Sequence, residues 1–196
     1  MGIFNFIKGN EKGKSEKTEK PSPEHKLFSE KAMEIVIPTF EQFGFQKHRI
    51  EIGNHFSNIT YRKNEQYLKI SSTTHPKDYP HYYSISFGEG NSEDFFEFDW
   101  NSINLWDFQK KINPNRKLSN YDFPLKSELE SSLENAKKDL LEFGASFLNG
   151  ELSIFYQIRK ERNQEKEPYK IRKLNKDGKY ETTYEPKSLE LKKKYS

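Results

Sequence analysis

Cysteine is absent from the chain of 196 residues, which excludes disulfide bonds and thiolate metal sites. Glycine-rich phosphate motifs are absent too, because neither a P-loop nor a Gly-x-Gly-x-x-Gly fingerprint occurs. The apolar runs fall far short of the roughly 20 residues that a membrane-spanning helix needs. The first ten residues lack the cleavage pattern of a signal peptide. We therefore expect a cytoplasmic protein with no membrane span, no metal and no cofactor.

Aliphatic residues are few, and aromatic residues replace them. Hydrophobic residues account for 32% of the chain, charged residues for another 32%, and there are 16 Phe and 11 Tyr. A buried aromatic side chain removes about 150–250 Å² from water, so such a core can support a folded domain. Residues 9–21 are rich in Lys, Glu, Ser and Gly, which predicts a flexible segment over 1–21. A single domain is predicted over 22–186, and a basic tail over 187–196.

Two segments show the apolar spacing of amphipathic helices. The first begins at Ser22, a suitable N-cap in front of a proline, and should be kinked by Pro38 and end at Gly44. The second, over 126–148, carries its apolar residues in one continuous stripe, with Ser127 as the expected N-cap.

Alternation of apolar and polar residues predicts an antiparallel meander. Its strands lie in the segments "HFSNITYRK", "QYLKISS", "YYSISFG" and "FFEFDW", and 46–53 adds a leading strand. A helix in "ELSIFYQIRKERN" and a hairpin around Lys176-Asp177-Gly178 follow near the C-terminus. The predicted fold is α+β: an antiparallel sheet of four or five strands with helices packed on one face, plus a C-terminal hairpin.

The segment "HPKDYPHYY" places His75, Asp78 and His81 three residues apart between two predicted strands. Its two prolines favour a stiff turn, and a metal site would need a third ligand from elsewhere. We interpret the segment as a turn. The alternative is an enzyme or nucleic-acid-associated factor that uses His75, Asp78, His81 and Glu89, with the basic C-terminal region contacting phosphates.

The charges are segregated along the chain. Between Tyr79 and Gln109 there is no Lys or Arg, although this window contains six acidic residues and both tryptophans. From Tyr156 onward the balance reverses, with thirteen Lys or Arg against seven Asp or Glu. Acidic residues among aromatic ones favour the steering and anchoring of a basic partner. The other interpretation is that the tryptophans belong to the core and the acids only solvate one face of the sheet.

The acidic window predicts the functional surface, a binding site for a basic protein. In "FFEFDW" the alternation would bury Phe96, Phe98 and Trp100 and leave Glu97 and Asp99 on the open face. The predicted partner-binding residues are Glu89, Glu93, Asp94, Glu97, Asp99, Asp107 and Trp106. The basic C-terminal region shows no aromatic stacking platform in a defined motif, so nucleic acid is not expected as a partner.

Four features follow one another over roughly residues 24–160: a capped helix ending in "FGF", the hairpin "NITYRKNEQYLKI", the strand "YYSISFGEG" and a Leu-rich helix. This layout resembles that of small α+β proteins of bacteria, among them immunity proteins that neutralise polymorphic toxins. The resemblance implies a non-catalytic cytoplasmic inhibitor that binds one toxin domain. It assigns no site residues.

Overall fold

The computed structural model describes residues 20–90, 94–117 and 121–196. The predicted flexible segment 1–21 therefore lies outside the described residues, except for its last two. The chain divides into two compact units. Of the described residues, the larger unit contains 20–90 and 102–158, and the smaller unit contains 94–101 and 159–196.

The helices and strands have the following bounds. The described residues form the α-helices α1 (Pro23–Ile35), α2 (Ile37–Gln42), α3 (Phe95–Asn101), α4 (Leu105–Ile112), α5 (Leu129–Phe143), α6 (Ala145–Leu148), α7 (Ser153–Glu165) and α8 (Pro186–Tyr195). The strands are β1 (Gln46–Ile52), β2 (Phe56–Lys63), β3 (Gln66–Thr73), β4 (Tyr82–Glu89), β5 (Ser102–Asn104), β6 (Lys170–Leu174) and β7 (Tyr180–Tyr184). None of the described helices has both the length and the hydrophobicity to cross a bilayer.

Strands β1 to β5 form one antiparallel sheet in chain order. The turn between β2 and β3 contains only two residues, of which Asn64 has a positive φ of 53°. Asparagine tolerates this left-handed conformation better than most residues do. Strands β6 and β7 form a separate two-stranded hairpin. The predicted α+β fold, with its meander and its C-terminal hairpin, is confirmed.

Helix α1 begins as its sequence predicts. The Ser22 side chain accepts a hydrogen bond from the His25 N–H at 3.2 Å, and Pro23 occupies the first turn. Pro38 follows the break between α1 and α2, so the predicted interruption is confirmed.

The helix predicted over 126–148 differs from α5 and α6. Glu128, not Ser127, is the N-cap of α5, and its side chain makes no capping bond. The helix ends at Gly144, where an added Cβ would meet the Leu140 carbonyl oxygen and the Phe87 ring. The glycine therefore permits close packing on the sheet and separates α5 from α6.

The core of the larger unit lies between one face of the sheet and the helices α1 and α5. It is built from fully buried aliphatic and aromatic side chains, among them Phe28, Ala32, Ile59, Leu68, Ile70, Phe87, Leu133, Leu140 and Phe147. Tyr83 also lies in this core, and its hydroxyl oxygen lies 2.7 Å from the Ser132 Oγ. Burial raises the pKa of Tyr83 to about 12.

The strand predicted for "FFEFDW" is wrong, because these residues belong to helix α3. The Asp94 carboxylate accepts hydrogen bonds from the N–H groups of Phe96 at 3.0 Å and Glu97 at 3.2 Å, which caps the helix. Trp100 is fully buried, whereas Phe96 and Phe98 are only half-buried, like Glu97 and Asp99. The side chains therefore do not alternate between a buried face and an open face, as a strand would require.

The predicted tail 187–196 is also different in the structure, because these residues belong to helix α8. Its N-cap is Glu185, whose side chain accepts a hydrogen bond from the Ser188 N–H at 2.7 Å. Ser188 and Leu191 are buried, and α8 packs against α3 in the smaller unit. The run of lysines at the C-terminus is thus the polar face of a docked helix.

Candidate functional site

The predicted partner-binding residues do not lie in one compact unit. The larger unit holds Glu89, Trp106 and Asp107, and the smaller unit holds Asp94, Glu97 and Asp99. Glu93 lies outside the described residues.

Each of the three acids in the smaller unit has a lysine partner from the basic C-terminal region. The pairs are Asp94 with Lys187 at 3.1 Å, Glu97 with Lys194 at 3.7 Å, and Asp99 with Lys166. Burial alone would raise the pKa of Asp94, but Lys187 and two backbone N–H groups outweigh it and lower that pKa. The acids of the acidic window in the smaller unit therefore form ion pairs with lysines of the basic C-terminal region. A role of these acids in partner binding stays a prediction.

Asp99 is the centre of a polar network. Its carboxylate accepts hydrogen bonds from the Lys166 ammonium and from the Tyr169 hydroxyl, the latter at 2.8 Å. The Lys166 Nζ lies 4.6 Å from the centre of the Trp100 ring, and the Asn163 amide donates to the Trp100 carbonyl at 2.8 Å. Burial lowers the pKa of Lys166, although Asp99 opposes this effect. The network ties α3 to α7 and to the segment before β6.

The acids of the larger unit also have structural roles. The Tyr156 hydroxyl donates a hydrogen bond to the Glu89 carboxylate at 2.8 Å. The Asp107 carboxylate accepts from the Asn104 N–H at 2.8 Å and completes a capping box at the start of α4. This cap fixes the first turn of α4, which carries Trp106.

Beside Trp106 the larger unit has a cavity of about 360 Å³, which we call the aromatic groove. Its main lining residues are Pro80, Tyr82, Leu105, Trp106, Tyr121 and Asp122. The groove lies along the outer edge of β4, where β5 pairs only with Ser86–Gly88 and Asp122 forms an isolated bridge to Tyr82. Because both neighbours of β4 are short here, the start of α4 and the segment before α5 together form the walls.

The aromatic groove is half open and carries one formal negative charge. Trp106 and Tyr82 are each 51% exposed. Among the described residues that line the groove, Asp122 is the one carboxylate, and there is no Lys, Arg or His. Flat rings next to a carboxylate suit the apolar stem and cationic head of a Lys or Arg side chain.

Only some of the residues that line this groove can be predicted from the sequence. Trp106 was predicted from its place in the acidic window. Tyr82 could have been found, since strand alternation points it away from Tyr83 and the core. Asp122 lies in a segment without periodicity, so no pattern in the sequence indicates its bridge to β4.

The segment "HPKDYPHYY" contains a short 3-10 turn, Pro76–Asp78, in which the His75 Nδ1 accepts from the Lys77 N–H at 3.2 Å. The turn prediction is confirmed. His81 precedes β4 and Glu89 ends it, and seven residues at about 3.3 Å each separate the ends of that strand by about 23 Å. Glu89 is therefore too far from His81 for the two to share one site.

Within the described ranges, no group of three or more His, Asp or Glu side chains is arranged to hold a metal ion. The absence of a bound metal stays a prediction.

His25 is a buried titratable residue that the sequence patterns did not single out. Its Nδ1 lies 3.0 Å from the Ser72 Oγ, and its Nε2 lies 2.9 Å from the Thr74 Oγ1. Burial is the main cause that lowers the pKa of His25, and the nearby His55 and His81 add to it, while Glu24 opposes it.

Mild acid is expected to destabilise the protein through His25. The pKa of His25 is lower in the folded state than the value of about 6.5 in an unfolded chain, so the unfolded state binds the proton more tightly. The stability contributed by His25 is therefore complete above about pH 6.5 and is lost as pH falls below it, with a slope of at most about 1.4 kcal/mol per pH unit. Urea unfolding between pH 7.5 and 5 should show a weaker pH dependence in His25→Asn. The control is His48→Asn, an exposed histidine on β1, which should keep the wild-type slope.

Comparisons of the chain with protein-family models, with curated proteins and with solved structures return no match.

Proposed function

We propose that the protein is a non-catalytic binding module that acts in the cytoplasm, of the kind represented by immunity proteins that neutralise toxins. In this proposal the aromatic groove receives a basic segment of the partner protein. The observation that carries it is the placement of two half-exposed aromatic side chains, Trp106 and Tyr82, in one groove that Asp122 also lines.

The chemistry of the groove favours a protein partner with an exposed Lys or Arg. Trp and Tyr are the residues most often found to dominate protein–protein affinity when they line a pocket. A cation over such rings gains about 0.5–2 kcal/mol, and a carboxylate within reach adds an ion pair. A groove of about 360 Å³ is large enough for one long side chain and part of its backbone.

The aromatic groove supports binding better than catalysis. Its lining includes three tyrosines, Ser84 and Asp122, and the Ser84 Oγ lies 3.2 Å from the Ser71 Oγ rather than from a base. Nucleophilic catalysis by a serine requires an adjacent general base. The paired acids Asp94, Glu97 and Asp99 contribute less to this proposal than Trp106, because lysines of the same chain already neutralise them.

Trp106→Ala is expected to abolish the capture of a basic protein that the wild-type protein retains. Tagged wild-type and variant proteins would be exposed to a lysate of the native host, and bound proteins would be identified by mass spectrometry. The control is Ile112→Ala, an apolar residue on the same helix that is 46% exposed and lies outside the groove. The partner would then be purified and titrated by calorimetry, where Trp106→Ala should weaken binding at least about 30-fold.

Asp122→Asn tests the charge with the same purified partner, in stopped-flow association kinetics at several salt concentrations. It should slow association and make the association rate less sensitive to salt. The proposal is wrong if no protein is retained by the wild type and lost by Trp106→Ala. It is also wrong if Trp106→Ala and Ile112→Ala weaken the binding of the purified partner equally.

A further inference from the structure

The hairpin of the smaller unit presents one face on which basic and aromatic side chains alternate across the strands. The register pairs Lys170 with Tyr184, Arg172 with Thr182 and Leu174 with Tyr180. In a pleated hairpin, the two residues of a register pair point to the same face. Successive pairs alternate between the two faces, so every second pair lies on one face. We call this face the ribbon face; it consists of Lys170, Arg172, Leu174, Tyr180, Thr182 and Tyr184.

All six side chains of the ribbon face are exposed, including Tyr180 at 73% and Leu174 at 61%. The opposite face differs, because it carries the half-buried Ile171 and Thr183. The acidic residue of the two strands, Glu181, also lies on that opposite face, paired with Lys173. The six residues of the ribbon face thus include two cations and two tyrosines but no Asp or Glu, and the neighbouring Glu167 carboxylate accepts a hydrogen bond from the Tyr184 hydroxyl at 3.5 Å.

The spacing of the two tyrosines suits stacked bases. Tyr180 and Tyr184 are four residues apart on β7, and a strand rises about 3.4 Å per residue, so they lie about 14 Å apart on one face. Each ring can then accept a separate base. The Lys170 Nζ lies 5.3 Å from the centre of the Tyr184 ring, which places a cation beside the stacking surface.

We propose that the ribbon face binds single-stranded nucleic acid. Binding proteins of this kind combine aromatic rings, on which unpaired bases stack, with cations that contact the phosphates. Both components occur on the ribbon face, and its charge is complementary to a polyanion. An acidic protein would match the charge but would have no planar bases for Tyr180 to stack against. This surface lies in the smaller unit and is independent of the aromatic groove.

The proposal also revises an expectation from the sequence. The C-terminal region was not expected to bind nucleic acid, because no aromatic platform was evident. The tyrosines and the cations of the ribbon face are eight or more residues apart in sequence, and only the antiparallel register brings Tyr184 opposite Lys170.

The test measures binding to fluorescein-labelled oligothymidylate and oligouridylate of about ten nucleotides, by fluorescence anisotropy at about 50 mM salt. The wild type is expected to bind at least one of them, and the tighter one identifies DNA or RNA as the source. Tyr180→Ala should weaken binding about tenfold or more, and Tyr180→Trp should retain it. Melting temperatures should stay unchanged, because the replaced side chain is exposed.

Arg172→Ala tests the phosphate contact and has a matched control. It should reduce the slope of log K against log salt by about 0.7, the value for one phosphate on a single strand. Lys173→Ala removes the same charge from the opposite face and should leave the slope unchanged. Trp106→Ala should not change oligonucleotide binding, which separates this proposal from that for the groove.

Three outcomes would overturn the proposal. One is that neither oligonucleotide binds. Another is that Arg172→Ala and Lys173→Ala weaken binding equally while Tyr180→Ala has no effect, since attraction would then be general and without stacking. The third is tighter binding of a duplex of the same length, which would show that unpaired bases are not recognised.

Discussion

Asp99→Lys is expected to lower the free energy of unfolding by about 3 kcal/mol. The substitution removes the acceptor of the Tyr169 hydroxyl and the partner of Lys166. It also places a second ammonium group against Lys166, which is already partly removed from water. A partly buried charge that loses its partner retains its desolvation cost, and the like charge adds repulsion.

Chemical denaturation would measure this change, and two variants serve as controls. Asp177→Lys makes the same charge change in the exposed hairpin turn and should leave stability within about 0.5 kcal/mol of wild type. Asp99→Asn keeps the shape and one acceptor oxygen, so its loss should be intermediate. If Asp99→Lys is as stable as Asp177→Lys, the network around Asp99 does not hold the smaller unit together. The Asp99 carboxylate would then be available to a partner.

Gly88→Ala is expected to lower the free energy of unfolding by about 3 kcal/mol. Gly88 pairs with Tyr67 across β3 and β4, and an added Cβ would overlap the Tyr67 ring. Tyr67 is only 1% exposed, and the Arg62 guanidinium lies 5.5 Å from the centre of its ring. The ring therefore has no open space to move into, and the strand itself must shift.

Gly53→Ala is the matched comparison, measured by thermal and urea unfolding. A Cβ at Gly53 would also meet an aromatic ring, that of Phe56, but this ring is 43% exposed and can rotate into solvent. Gly53→Ala should lower the free energy of unfolding by less than about 1 kcal/mol. Adding Tyr67→Leu to Gly88→Ala should recover part of the stability, because the two substitutions act on one contact. If the double variant loses as much stability as Gly88→Ala and Tyr67→Leu together, the explanation is wrong.

The sheet of the larger unit could be predicted because each strand has its own local signals. The segment around Asn64 combines alternation on both sides with a turn residue, and the structure forms that hairpin. Helix α1 was predictable from Ser22 and Pro38 for the same reason. In both cases neighbouring residues decide the structure.

The errors fall where partners are distant in sequence. In "FFEFDW" the alternation is compatible with a strand, but the Asp94 cap and the burial of Trp100 against Ser188, with the indole N–H donating at 3.2 Å, stabilise a helix. The sequence of 187–196 predicts a basic tail rather than helix α8, because the packing partner of that helix, α3, lies some ninety residues earlier.

The candidate sites follow the same rule. Trp106 was predicted from composition, whereas its neighbour Asp122 depends on a bridge that no spacing indicates. The lysine partners of the acids were visible as a basic region, but their pairing with Asp94 and Asp99 follows only from the fold.

The discontinuity of the smaller unit has a consequence during synthesis. Residues 94–101 leave the ribosome long before residues 159–196, which supply the other described part of that unit. At about 5–20 residues per second, α3 spends roughly 5–20 s without Ser188 against Trp100 or lysines beside its acids. Over that interval the nascent chain exposes the aromatic side chains of α3, and exposed hydrophobic surface promotes aggregation. Codons that slow translation between 101 and 159 should therefore lower the soluble yield more than equally slow codons placed before residue 90.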